Sequence, residues 1–169
     1  MRISAIFTLA LALTVGVFAA TAGGHTGRAA AKCAYRRDGA LPDSSCTPGA
    51  TNPKVRQSDI DSTICKSGWT ATIRPPESVT EPQKYKSMAQ YGDTDSASNY
   101  EYDHLISLEL GGAPDSSKNL WPEPHKTSNN LGSYVKDTVE NSLKRQVCDG
   151  EITLKQAQHT IRTDWTKAL

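Results

Sequence analysis

The segment Tyr102-Asp103-His104-Leu105-Ile106-Ser107-Leu108-Glu109-Leu110-Gly111-Gly112, continued by Lys118-Asn119-Leu120-Trp121-Pro122, decides how this chain is read. An Asp-His pair lies in an extended run, a Gly-Gly turn follows, and Asn119 stands fifteen positions beyond His104. Glycine tolerates positive φ, so Gly111-Gly112 ahead of Ala113-Pro114-Asp115 marks a sharp reversal. The pattern predicts a hairpin, with a first strand over 99–110 and a return strand over 118–121 that Pro122 and Pro124 end. Downstream, Leu131, Val135, Val139, Leu143 and Val147 recur every four residues, the apolar stripe of a helix of about 16 to 20 residues. Ser128 or Asn129 is its expected cap, and Asp149-Gly150 its end.

The elements around this centre are shorter. Thr153 to Gln156 matches a capping box, opening a last helix whose buried face is Leu154, Ala157, Ile161 and Trp165. Upstream, the stretch from Cys33 to about Asn52 is rich in Gly, Pro, Ser and Asp and reads as irregular. Ser58 is expected to cap a short helix ending near Cys65. Trp69 to Arg74 alternates bulky and small residues and reads as a strand stopped by Pro75-Pro76. Lys84 to Tyr91 reads as one or two helical turns ended by Gly92. The fold class expected is α+β. Trp69, Trp121 and Trp165 are expected as core or interface anchors.

Asp103-His104, Gly111-Gly112 and Asn119-Leu120, in that order and ahead of a helix, resemble the HNH endonuclease family, whose ββα-metal core is a hairpin and a helix around one divalent cation. The resemblance covers roughly positions 100 to 145, a minority of the chain. It implies that His104 is the general base, that Asp103 is a metal ligand, and that Asn119 braces the loop holding His104. The family's third element is a His or Asn about nine residues after the central Asn, and position 128 here is Ser. His125, Asn129 and Asn130 are nearest; His125 is the strongest ligand type and Asn129 better fits the spacing. Glu123 and Glu140 are further acidic candidates. The implied cofactor is Mg²⁺, with Mn²⁺, Zn²⁺ or Ca²⁺ as alternatives, and no organic cofactor is expected.

Those residue types suit phosphodiester hydrolysis, in which water is a poor nucleophile and the substrate is anionic. A divalent cation offsets charge on the reacting phosphate while a neutral imidazole takes the water's proton. Lys136, Lys144 and Arg145 on the long helix are candidates for phosphate contact, but read more simply as a solvated face, with Glu140 pairing Lys136 or Lys144.

Residues 1–31 have the pattern of a secretory signal peptide: Arg2, then a run from Ile3 to Ala20 that is apolar apart from Ser4, Thr8, Thr14 and Gly16. Cleavage is expected after Ala20-Thr21-Ala22 or Ala29-Ala30-Ala31. A membrane anchor is the competing reading, because the run is near the lower limit of about 17 residues for a spanning helix. Loss of residues 1–31 removes Arg2 and Arg28, so 19 Lys and Arg become 17 against 18 Asp and Glu. A near-neutral chain argues against nucleic-acid storage, which needs a basic surplus, and is compatible with an enzyme making transient contacts. Cys33, Cys46, Cys65 and Cys148 remain. In a secreted chain they read as two disulfides, Cys33 with Cys46 and Cys65 with Cys148 being favoured. No two stand two to four apart, as a structural zinc site requires.

The expectation is therefore a single domain over 32–169, with its core at about 99–147. It would be a secreted, monomeric, metal-dependent endonuclease acting on DNA, with RNA as a further substrate and low sequence specificity. The alternative is a non-catalytic secreted binding or structural domain that retains a ββα scaffold.

Overall fold

The structure, a computed structural model, describes residues 32–169; the expected signal peptide lies outside them. Two strands and four α-helices are joined by short 3₁₀ turns and loops: α1 (Trp69–Ile73), α2 (Glu77–Tyr91), β1 (Tyr100–His104), β2 (Leu120–Pro124), α3 (Ser133–Cys148) and α4 (Leu154–Asp164). The class is α+β. β1 and β2 form one antiparallel sheet, in register from Tyr100 opposite Pro124 to His104 opposite Leu120.

The hairpin strands differ from expectation at both ends. β1 stops at His104, and a 3₁₀ turn over Leu108–Leu110 replaces the rest of the expected strand. β2 runs through Pro122, which sits opposite Tyr102. A two-stranded sheet has only edge strands, so a residue without an N–H can be accommodated there. The Pro122 carbonyl is not wasted, accepting the Tyr35 hydroxyl at 2.9 Å.

Trp69 to Ile73 is a helix, not a strand. Six alternating residues do not make a strand without a ladder partner. Here the Arg74 N–H bonds Thr70 O, and the Thr72 hydroxyl bonds Trp69 O at 2.6 Å, closing a local turn instead. The expected helix from Ser58 is a 3₁₀ segment over Gln57–Ser62 that Ser58 does not cap; its hydroxyl bonds Asp59. α2 is longer than expected, starting behind Pro76 and containing Pro82, and it ends at Gly92 as read.

α3 follows its stripe: Val139, Leu143 and Val147 are buried, with Leu131 and Val135 packed against them. Its N-cap is Gly132, not Ser128 or Asn129. The Asn129 side chain instead closes the preceding turn with Thr127 and Leu131. In α4 the capping box forms, Thr153 Oγ1 accepting from the Gln156 N–H and Gln156 Oε1 from the Thr153 N–H. Leu154, Ala157, Ile161 and Trp165 are all buried, and the Trp165 indole N–H bonds Ala40 O at 2.7 Å. Trp121 is fully buried in a second cluster with Tyr91, Leu105 and Cys33, while Trp69 is only partly buried against the main core.

Cys33–Cys46 and Cys65–Cys148 are disulfide-bonded, and no cysteine among the described residues is free. Two disulfides fit an oxidising compartment. No helix among the described residues is long and apolar enough to cross a membrane.

Cys65–Cys148 closes a separation of 83 residues and Cys33–Cys46 one of 13. Loop-closure entropy grows slowly with length, so losing the first should cost about 4.5 kcal/mol and the second about 3. Denaturant titration of Cys65→Ser/Cys148→Ser beside Cys33→Ser/Cys46→Ser checks this; the ranking is wrong if the short loop proves the costlier loss.

Candidate functional site

The site is built on the loop leaving β1, and Asn119 holds that loop. Its Oδ1 accepts the Ile106 N–H at 2.9 Å, and its Nδ2 donates to Ile106 O at 3.0 Å and Ala113 O at 3.1 Å. Leu105 N–H to Asn119 O, 2.7 Å, joins the chains just beyond the paired strands. Beyond it a buried side chain satisfies the backbone groups that a longer strand would have paired, which is why β1 ends where it does. Gly111 turns the chain at φ +72°, and a Cβ on Gly112 would meet the Ile106 carbonyl oxygen at 1.7 Å. The glycine pair therefore serves close approach as much as reversal.

This loop delivers the Pro114 carbonyl to His104 Nε2 at 2.9 Å. A carbonyl oxygen only accepts, so the proton belongs on Nε2, and in the neutral ring Nδ1 keeps its lone pair. Burial pushes the His104 pKa below its ordinary value, against the opposing pull of the Asp103 charge and the Pro114 bond. His104 is thus a neutral imidazole of defined tautomer near pH 7, at a position only 4 % exposed.

Asp103 meets an unexpected partner. Lys136, read from sequence as part of a solvated face, is fully buried. Its ammonium donates to Asp103 and to Glu140 and lies 3.4 Å from Glu123 Oε2. An unpaired charge is very costly to bury. Burial opposes ionisation of Asp103, but the Lys136 charge helps hold it below the usual carboxylate range. Burial raises Glu140 to about 8, with Lys136 opposing, and raises Glu123 well above its ordinary value. Within the cluster the Lys136 charge thus keeps Asp103 toward its carboxylate form, while burial biases Glu123 and Glu140 toward their protonated forms.

Three more charged groups surround it. Glu101 occupies the same side of β1 as Asp103, two residues back. Burial and then the Asp103 charge raise its pKa, and desolvation and then the Asp103 charge raise Asp137 on α3. Arg74, exposed at the end of α1, opposes the rise at Asp137 and helps depress His104. Among the described residues no three His, Cys, Asp or Glu side chains stand in ready-made metal-ligand geometry. The donor chemistry nevertheless suits a hard cation: carboxylate oxygens on Glu101, Asp103 and Asp137 are Mg²⁺-type ligands. A divalent ion would relieve the repulsion that Asp103 imposes on the other two.

His125 and Asn129 have partners of their own. His125 follows Pro124, four strand positions and about 13 Å along β2 from the residue opposite Asp103. Its Nδ1 bonds the Ser133 hydroxyl at 2.8 Å, and its ring stacks on Tyr134 at 4.8 Å. Lys144 pairs with Glu109 at 3.7 Å, and Arg145 is exposed. Of the residues that sequence reasoning left out, Glu101 carried a signal in its strand spacing from Asp103. Arg74 and Asp137 carried none, because both arrive through tertiary packing.

Comparison with protein-family models, curated proteins and solved structures finds no match to this chain.

Because the folded-state pKa of Glu140 is raised, its contribution to stability is complete below about 4.5 and is lost as pH rises toward about 8. Glu140→Gln should flatten the stability profile between those limits. Unfolding free energies of both proteins at pH 5 and pH 8 decide it, and an unchanged slope would mean that Glu140 stays ionised in the fold.

Proposed function

We propose that the protein is a secreted, HNH-like metal-dependent nuclease that hydrolyses phosphodiester bonds of nucleic acid, DNA first. The observation that carries this reading is the His104 Nε2–H to Pro114 bond, which leaves a neutral Nδ1 acceptor beside an ionised Asp103. The hairpin-then-helix order and the Asn119 brace support it. In this reading Nδ1 of His104 takes a proton from the attacking water. Nε2 keeps its proton and its carbonyl partner, so the imidazolium that forms is stabilised in place. Asp103 would hold a divalent ion with Asp137 or Glu101, and the ion would offset charge developing on the phosphate. Arg74, whose charge acts on both His104 and Asp137, would meet a phosphate oxygen. Lys136 acts through Asp103, keeping it a carboxylate.

The second reading, a non-catalytic scaffold, draws support from Lys136, whose ammonium already occupies Asp103. Titration calorimetry with Mg²⁺ separates the two: a scaffold of that kind gives no binding heat at millimolar ion.

With plasmid DNA as substrate, cleavage should require Mg²⁺ or Mn²⁺, and His104→Ala should lower the rate at least about a hundredfold. Because burial lowers the His104 pKa, the rate should rise with pH and reach half its plateau below pH 6.5. Activity persisting in EDTA or in His104→Ala, or an acid limb centred above 6.5, rejects this mechanism.

A further inference from the structure

On the far side of the Asn119 loop, two adjoining grooves flank α4, of about 660 and 580 Å³. They share Thr153, Lys155, His159 and Arg162, and the second adds Arg56 from the segment before the 3₁₀ turn. Neither is lined by any Asp or Glu. Arg56, Lys155, His159 and Arg162 are all exposed. Among the described residues, none of Arg56, Lys155 and Arg162 is in an ion pair. That is unusual in a chain whose cations and acids nearly balance, since mixed surfaces normally pair or intersperse their charges.

The positions are ordered as well as basic. Lys155, His159 and Arg162 are spaced i, i+4, i+7, so they run along one side of α4. From Lys155 to Arg162 the helix rises about 10.5 Å, roughly the axial length of three phosphates of one DNA strand. Arg56 approaches the row from a different element, and Gln57 fixes that segment to the helix by accepting the Leu154 N–H at 2.7 Å. Gln158, which also lines the groove, donates to Leu110 O at 2.9 Å. The groove wall is thereby tied to the loop that Asn119 braces and that ends at the His104 partner Pro114.

We infer that this face of α4 is a binding surface for the phosphate backbone of nucleic acid, gripped by Arg56, Lys155 and Arg162. The inference rests on the nuclease reading for its choice of polyanion. A surface of this kind holds phosphates without reading bases, consistent with low sequence specificity, and it supplies locally the cationic field that the whole chain lacks.

The test is equilibrium binding of the purified protein to a fluorescently labelled 20-base-pair duplex, by anisotropy in EDTA over a series of NaCl concentrations. Arg56→Gln/Lys155→Gln/Arg162→Gln should bind at least tenfold more weakly at low salt. Its plot of log affinity against log salt should flatten by nearly 3, about 0.9 per lost phosphate contact. Lys155→Glu alone should move both in the same direction. The charge-matched control Lys32→Gln/Lys66→Gln/Lys86→Gln, at exposed positions outside the grooves, should change neither. Equal behaviour of the two triple variants overturns the inference, as does groove-dependent binding to anionic lipid vesicles without binding to DNA. Hydrolysis of bis(p-nitrophenyl) phosphate by the wild-type protein with Mg²⁺ is measured alongside. Its absence would remove the nuclease reading while groove-dependent DNA binding would still stand.

Discussion

One buried ammonium joins the three elements around which this protein is organised. Lys136 reaches from α3 to Asp103 on β1 and Glu123 on β2, and to Glu140 one turn along its own helix. A buried cation tolerates little displacement from its anions, so the cluster fixes both the rotation of α3 and its depth against the hairpin. Apolar packing alone would not: Val139, Leu143 and Val147 face the main core with α4 and Ile106, and a stripe of similar side chains permits sliding. The same cation lowers the pKa of all three clustered carboxyls, and only in Asp103, next to His104, does the balance with burial fall below the ordinary value.

The loop after β1 carries the second constraint. Asn119 gives its amide to both sides of the turn, and Gly112 lets the backbone come close enough for it to do so. Their combined result is the placement of a backbone carbonyl against one nitrogen of His104. A side-chain acceptor there could rotate or take a proton, whereas a carbonyl in a braced loop can do neither. Protonation state and ring orientation are thus set by backbone geometry, and the Lys136 cluster sets the charge next door.

Periodic features were legible in the sequence, and features made by tertiary capture were not. The α3 stripe, the Thr153 capping box and the buried face of α4 each repeat a local rule several times, and the structure has them. The disulfide pairing was the favoured one of three that four cysteines allow, which sequence alone could not decide, and the structure has it. The end of β1 was invisible, because the residue that stops it, Asn119, lies fifteen positions away and competes for Ile106 through its side chain. Trp69 to Arg74 misled because alternation over six residues does not exclude a helical turn. Lys136 misled for a related reason: an i, i+4 Lys-Glu pair normally marks a wet face, and only the two acids from the hairpin turn it inward. At the candidate site, the Asp103-His104 pair and its Asn119 brace were readable as a constellation. Glu101 stands two strand positions from Asp103 and was legible in that spacing, whereas Asp137 and the Arg74 guanidinium were not, because they come from α3 and α1 by packing.

The proposed chemistry depends on the protonation of a single ring. Long-range ¹H–¹⁵N correlation spectra of uniformly ¹⁵N-labelled protein report it directly, through the shifts of both His104 nitrogens at pH 7. The Pro114 carbonyl against Nε2 requires a neutral ring with the proton on Nε2 and an unprotonated Nδ1. A proton on Nδ1, or an imidazolium at that pH, would contradict it.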